Sequence, residues 1–120
     1  MKKVVEHIGY PFSEYLFTMM VNDENLWTDL AMLYKRPLWM TWNMVLAKET
    51  GVLDRVMFAT DFVAANNDLF GPDPTKDILE WVDLVQNGMN KICKQSGWPT
   101  FTEKEIMGIL HDNAARLYNL

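Results

Sequence analysis

The chain has 120 residues, 49% of them hydrophobic, with eleven basic against sixteen acidic side chains and a formal net charge of -5. That apolar content argues against wholesale disorder, and a longest basic cluster of only Lys2-Lys3 leaves no nucleic-acid footprint. The single cysteine, Cys93, excludes an internal disulfide and any cysteine-based zinc site, and fits a reducing, cytoplasmic setting.

In chain order, "KVVEHIG" (3–9), "NLWTDLA" (25–31) and "RVMFATDF" (55–62) are short runs rich in β-branched and aromatic residues, separated by helical patterns. That rhythm predicts consecutive β-α units with three parallel strands. Glu6 and His7 break the N-terminal run before a signal-peptide core could form. Between the first two strands Phe12, Leu16, Met19 and Met20 follow Pro11 at helical spacing, and the turn-forming residues 22–25 close the segment. Between the second and third, Pro37 suits a first helical turn and Leu38, Trp42, Val45 and Leu46 mark one face before Gly51. The most apolar window, 38–47, is about half the ~20 residues of a membrane span, so no membrane segment is expected.

After Asp61, "VAANNDLFGPDP" reads as a polar loop of a length more often functional than accidental. Asp73 then suits an N-cap with Pro74 at the first helical position, and Ile78, Val82, Val85, Met89 and Ile92 trace the stripe of a long helix ending near Gly97. In "FTEKEI", Thr102 and Glu105 have capping-box spacing, and Phe101 with Ile106 the spacing of a hydrophobic staple. Asn113 is a candidate cap for a final short helix, and with no linker or repeat, residues 1–120 are read as a single domain.

Asp61 is the residue that needs explaining, because a carboxylate behind Val56, Met57 and Phe58 is costly to bury without a partner. Strand alternation puts Met57, Ala59 and Asp61 on one side, and in the first strand Val5 and His7 together. His7 and Asp61 both lie at the C-terminal ends of their strands, the edge where parallel α/β proteins bind ligands, so the two are expected to share a site. Asp29, paired with Trp27 on the middle strand, is a third candidate, read first as structural. From the local sequence alone, Asp61 reads equally as a cap for the loop that follows it. His111 is expected to favour a helix dipole, Cys93 to be an inert core residue, and the five tryptophans and nine methionines to be packing. "ANND" (65–68) reads as solvated loop before substrate contact.

Taken in order, "VVEHIG", "NLWTDLA", "DRVMFATDF" and "ILHDNAARLYNL" resemble the C-terminal portion of amidohydrolase-related (amidohydrolase 2) metal-dependent enzymes. The resemblance implies an α/β fold that is part of a TIM (β/α)8 barrel, strands six to eight with their helices. It also implies a hydrolase or decarboxylase acting on a small, carboxylated substrate. Asp61 matches the acid closing the eighth strand, which ligates the catalytic divalent metal, usually zinc, and His7 the sixth-strand histidine that activates water or shuttles a proton. A metal neutralises such a carboxylate and lowers the pKa of bound water to about 7, and an imidazole suits the proton-handling role. Ala59 and Val63 stand where the family commonly has Gly and Pro. The first-strand His-x-His and the fifth-strand histidine have no counterpart here, and a barrel needs ~200 residues or more. The chain therefore reads as a C-terminal fragment, inactive alone, or as a non-catalytic remnant or assembly subunit. Open sheet edges are expected to drive self-association or pairing with a chain that completes the barrel.

Overall fold

The computed structural model describes residues 1–62 and 72–120. The three apolar runs form strands β1 (Lys3–Val5), β2 (Leu26–Asp29) and β3 (Val56–Met57) of one parallel sheet in the order β1-β2-β3. Helix α1 (Ser13–Asn22) connects the first two strands and α2 (Pro37–Glu49) the second and third. Topology and strand order match the expectation, but the strands are shorter than their apolar runs. Each stops where the backbone turns: into a 3-10 turn (Glu6–Gly9) after β1, and short of a left-handed Asp61 after β3.

The register sets the two faces of the sheet. Lys3 lies beside Leu26, Val5 beside Thr28 and Thr28 beside Val56, while Val4 lies beside Trp27 and Asp29 beside Met57. Neighbours in register share a face, so Val5, Leu26, Thr28 and Val56 point one way and Val4, Trp27, Asp29 and Met57 the other. The first face carries the main core, into which α1 sends Leu16, Phe17 and Met20 and α2 sends Met40, Met44 and Ala47.

The buried stripes match those predicted only in part: Leu16, Met20 and Val45 are in the core as expected. On α1, Phe12 and Met19 are exposed and Phe17 is buried in their place; on α2, Leu38 and Trp42 face outward. Apolar residues occupy both sides of each helix, so periodicity alone could not choose between them. On α2 the chosen face even buries Thr41 and Asn43, whose side chains donate to the Pro37 and Trp39 carbonyls one turn back. A buried polar group is tolerated when it is paired in this way.

The long C-terminal helix is α3 (Pro74–Asp83), a π turn (Leu84–Gly88) and α4 (Met89–Ser96) in succession. Asp73 caps it by accepting from the Lys76 N–H at 3.1 Å, and Gly97, at φ 70, ends it in the left-handed conformation. The buried stripe is Trp81, Val85, Met89 and Cys93, which keeps Val85 and Met89 of the predicted row but replaces Ile78, Val82 and Ile92. A four-residue spacing drifts around a regular helix, and the wider π turn absorbs that drift so one face stays on the core. Cys93 belongs to the stripe, and burial pushes its thiol pKa up, as expected of an inert core cysteine.

Helix α5 (Glu103–Met107) opens with the capping box predicted, Thr102 and Glu105 each bonding the other's backbone N–H, and Phe101 and Ile106 are both buried as the staple. Burial opposes ionisation of Glu105, but the Thr102 N–H and the Lys48 ammonium outweigh it and hold the carboxyl below its ordinary range. Asn113 is not a cap. The helix runs on through a π turn (Gly108–Asp112) into α6 (Asn113–Tyr118), and the buried Asn113 amide donates to the Leu53 and Val56 carbonyls at 3.2 and 2.8 Å. No helix among the described residues is long and apolar enough to cross a membrane.

Candidate active site at the C-terminal edge of the sheet

Beyond Val5 the chain makes three consecutive left-handed steps, His7 at φ 58, Ile8 at φ 52 and Gly9 at φ 68. Only the glycine adopts that conformation without penalty; each of the others costs of order 1 kcal/mol and persists only where its surroundings impose it. The impositions are visible. Ile8 is driven fully into the core, and the His7 N–H donates to Asp29 Oδ1 at 3.0 Å. The same carboxylate oxygen accepts the Ala31 N–H, also at 3.0 Å. Asp29 thus ties the turn after β1 to the end of β2, the structural role read first for it.

His7 and Asp61 meet. His7 Nε2 lies 3.5 Å from Asp61 Oδ2, an ion-pairing distance with both side chains partly open to solvent. They do not meet by the alternation first invoked, because Val5 and Met57 lie on opposite faces of the sheet and strict parity would have sent the two side chains apart. Neither residue is in a strand. The left-handed turns at His7 and at Asp61 (φ 53) re-aim both side chains into the space above the strand ends.

An aromatic wall stands on the core side of the same edge. Trp81 packs its ring 5.5 Å from Tyr34, in the segment after β2, and 5.1 Å from Phe58, just past β3. Burial pushes the Tyr34 hydroxyl pKa up, and the nearby Asp77 carboxylate pushes it the same way. Tyr34 and Asp77 escaped the sequence reading. The signal was a tyrosine just after a strand end and an acid on the inward side of a helical stripe.

An amidohydrolase family model matches the chain over residues 1–120. The chain belongs to the amidohydrolase family. No curated protein and no solved structure matches it. Amidohydrolases generally use divalent metals, so the donor set can be tested against one. Among the described residues no group of three or more His, Cys, Asp or Glu side chains is placed to hold a metal ion. Asp29 Oδ1 is already engaged by two backbone N–H groups, leaving His7 and Asp61 as two donors where a zinc site takes three from protein. These residues do not by themselves fit a complete amidohydrolase metal centre.

The remaining candidates lie elsewhere. His111 sits exposed in the π turn before α6, its Nδ1 2.8 Å from Asp112, and takes no part in the pair. The "ANND" stretch, with Val63, lies outside the described residues.

Proposed function

We propose that this chain contributes the C-terminal strands, six to eight, of an amidohydrolase-type barrel acting as a hydrolase or non-oxidative decarboxylase on a small, carboxylated substrate. The single observation that supports this reading is the 3.5 Å approach of His7 Nε2 to Asp61 Oδ2 at the C-terminal edge of a parallel sheet. Asp61 is the residue proposed to face the divalent metal, zinc in this reading, and His7 the residue proposed to take and return a proton. The metal, when bound, supplies a polarised water or substrate carboxylate. The imidazole is held toward the carboxylate by a backbone that Asp29 fixes, so the ring nitrogen turned to Asp61 is a defined atom, Nε2. The other metal ligands come, in this proposal, from a further polypeptide segment that completes the barrel, with neither nucleic acid nor membrane as a partner.

The incomplete donor set also favours a second reading, a non-catalytic assembly subunit. Calorimetric titration of the chain with zinc separates the two. Weak one-to-one binding abolished by His7→Ala and by Asp61→Ala is the expected result. Zinc uptake that neither substitution changes, or none at all, rejects the metal-site reading in favour of the subunit.

A further inference from the structure

The two faces of the sheet are covered unequally. Over the face opposite the main core, among the described residues, the C-terminal segment lays Ala114 and Leu117 on Trp27 and Met57. The fit is imperfect. Trp27 is 4% exposed, yet its Nε1 has no hydrogen-bond partner among the described residues. Buried indole N–H groups are ordinarily paired, so this cover, although Arg116 lies 5.1 Å over the same ring, leaves one polar group of the surface unmet.

The same segment also closes the outer margin of β3. The Phe58 N–H donates to the Ile109 carbonyl at 2.8 Å, and Asn113 Nδ2 donates to the Val56 carbonyl at 2.8 Å. Met57 turns its carbonyl the other way, to the Leu30 N–H. The Val56 C=O and Phe58 N–H are therefore the two groups that one residue of a parallel strand would engage from a position opposite Met57. A helix carbonyl and a side-chain amide stand in for that residue.

The opposite margin of the sheet carries its counterpart. The Lys3 N–H points to Asn25 on the β2 side, so by alternation the N–H and C=O of Val4 point away from the sheet. Val4 is 38% exposed, and its side chain shares the face of Trp27 and Met57. Hydrogen-bonding groups and side-chain direction at Val4 both match the slot at Met57.

We propose that the outer edge of β3 and the Trp27–Met57 face are a docking surface for β1 of a second copy of this chain, parallel and with Val4 opposite Met57. The segment Gly108–Tyr118 covers that surface and must swing off it. The proposal rests on the self-association side of the reading above and needs no metal. Such a contact is head-to-tail, so its products are rings or extended rows rather than isologous dimers.

Sedimentation over a concentration series tests it. Leu117→Asp weakens the cover without touching the main core, and roughly tenfold tighter self-association is expected. Adding Val4→Pro, which removes the edge N–H, returns that variant to the monomer. A folded Leu117→Asp chain that remains monomeric, or association indifferent to Val4→Pro, would each overturn the proposal. Loss of zinc uptake with association intact would reject the metal-site reading and leave this interface standing.

Discussion

The two ends of the sheet are built on opposite principles. At the N-terminal end charged side chains gather the backbone and one another. The half-buried Arg55 guanidinium gathers the carbonyls of Met20, Asp23 and Leu26 at 2.8, 2.8 and 3.2 Å, Lys3 pairs with Asp23 at 2.9 Å, and the left-handed step before β3 falls on a glycine, Gly51. At the C-terminal end one left-handed step falls on Gly9, but the others fall on His7, Ile8, Met32, Lys35 and Asp61. One end is relaxed and saturated with hydrogen bonds; the other stores backbone strain around two side chains that meet above the strands. Strain at one edge of a saturated scaffold is how a chain holds functional groups in positions that their own preferences would not choose.

The largest effect expected from breaking this contrast is at the relaxed end. Arg55→Ala leaves the α1 C-terminus and the start of β2 without their shared donor, and the loss of charge-assisted bonds to half-buried carbonyls is worth about 3 kcal/mol. Urea unfolding should show the midpoint falling with little change in slope. Arg55→Lys should recover only part of the loss, because an ammonium lacks the planar fork that reaches three carbonyls at once. A change of under about 0.5 kcal/mol for Arg55→Ala would mean the relaxed end is not where the stability lies.

The next effect belongs to the bridge between β1 and β2. Asp29→Ala removes the acceptor of two backbone N–H groups, and about 2 kcal/mol of destabilisation is expected. Hydrogen exchange gives the sharper measurement. The His7 and Ala31 amides should lose protection together in Asp29→Ala and keep it in Asp29→Asn, which retains the Oδ1 acceptor. Loss in both variants alike would show that the charge, and not the acceptor, holds the turn.

Much of this architecture was legible beforehand because it depends on local chemistry. Pro74 after Asp73, Gly97 in the left-handed position, and Thr102 with Glu105 are signals read within one helical turn, and each sits where its spacing placed it. Three β-rich runs between helical segments were enough for the parallel order β1-β2-β3. Helix faces were less legible. With methionines and aromatics on both sides of α1 and α2, the buried stripe was decided by packing against the sheet, and the stripe of α3 and α4 by a π turn that leaves no mark in hydropathy. At the candidate site the two side chains expected to meet do lie together, but not by the strand alternation that placed them there. His7 and Asp61 lie together because both strands end early, and runs of apolar residues do not disclose where a strand stops. Asn113 looked like a helix cap, but its partners are carbonyls more than fifty residues away in sequence, Leu53 and Val56.

The smallest effect has the opposite sign. At φ 58, His7 occupies a region that an L-residue enters at a cost of about 1 kcal/mol and glycine enters freely. His7→Gly should therefore stabilise the fold by up to about 1 kcal/mol, less whatever glycine adds to the entropy of the unfolded chain. The bond from residue 7 N–H to Asp29 Oδ1 survives the change, since it is made by the backbone. Zinc binding, if the pair is a half-site, should disappear in the same variant. A chain that gains stability while losing its ligand is the signature of strain kept for function rather than for folding. Equal or lower stability in His7→Gly would instead mean that the imidazole's contact with Asp61 contributes at least as much as the backbone conformation costs, and the two ends of the sheet would differ less than their dihedral angles imply.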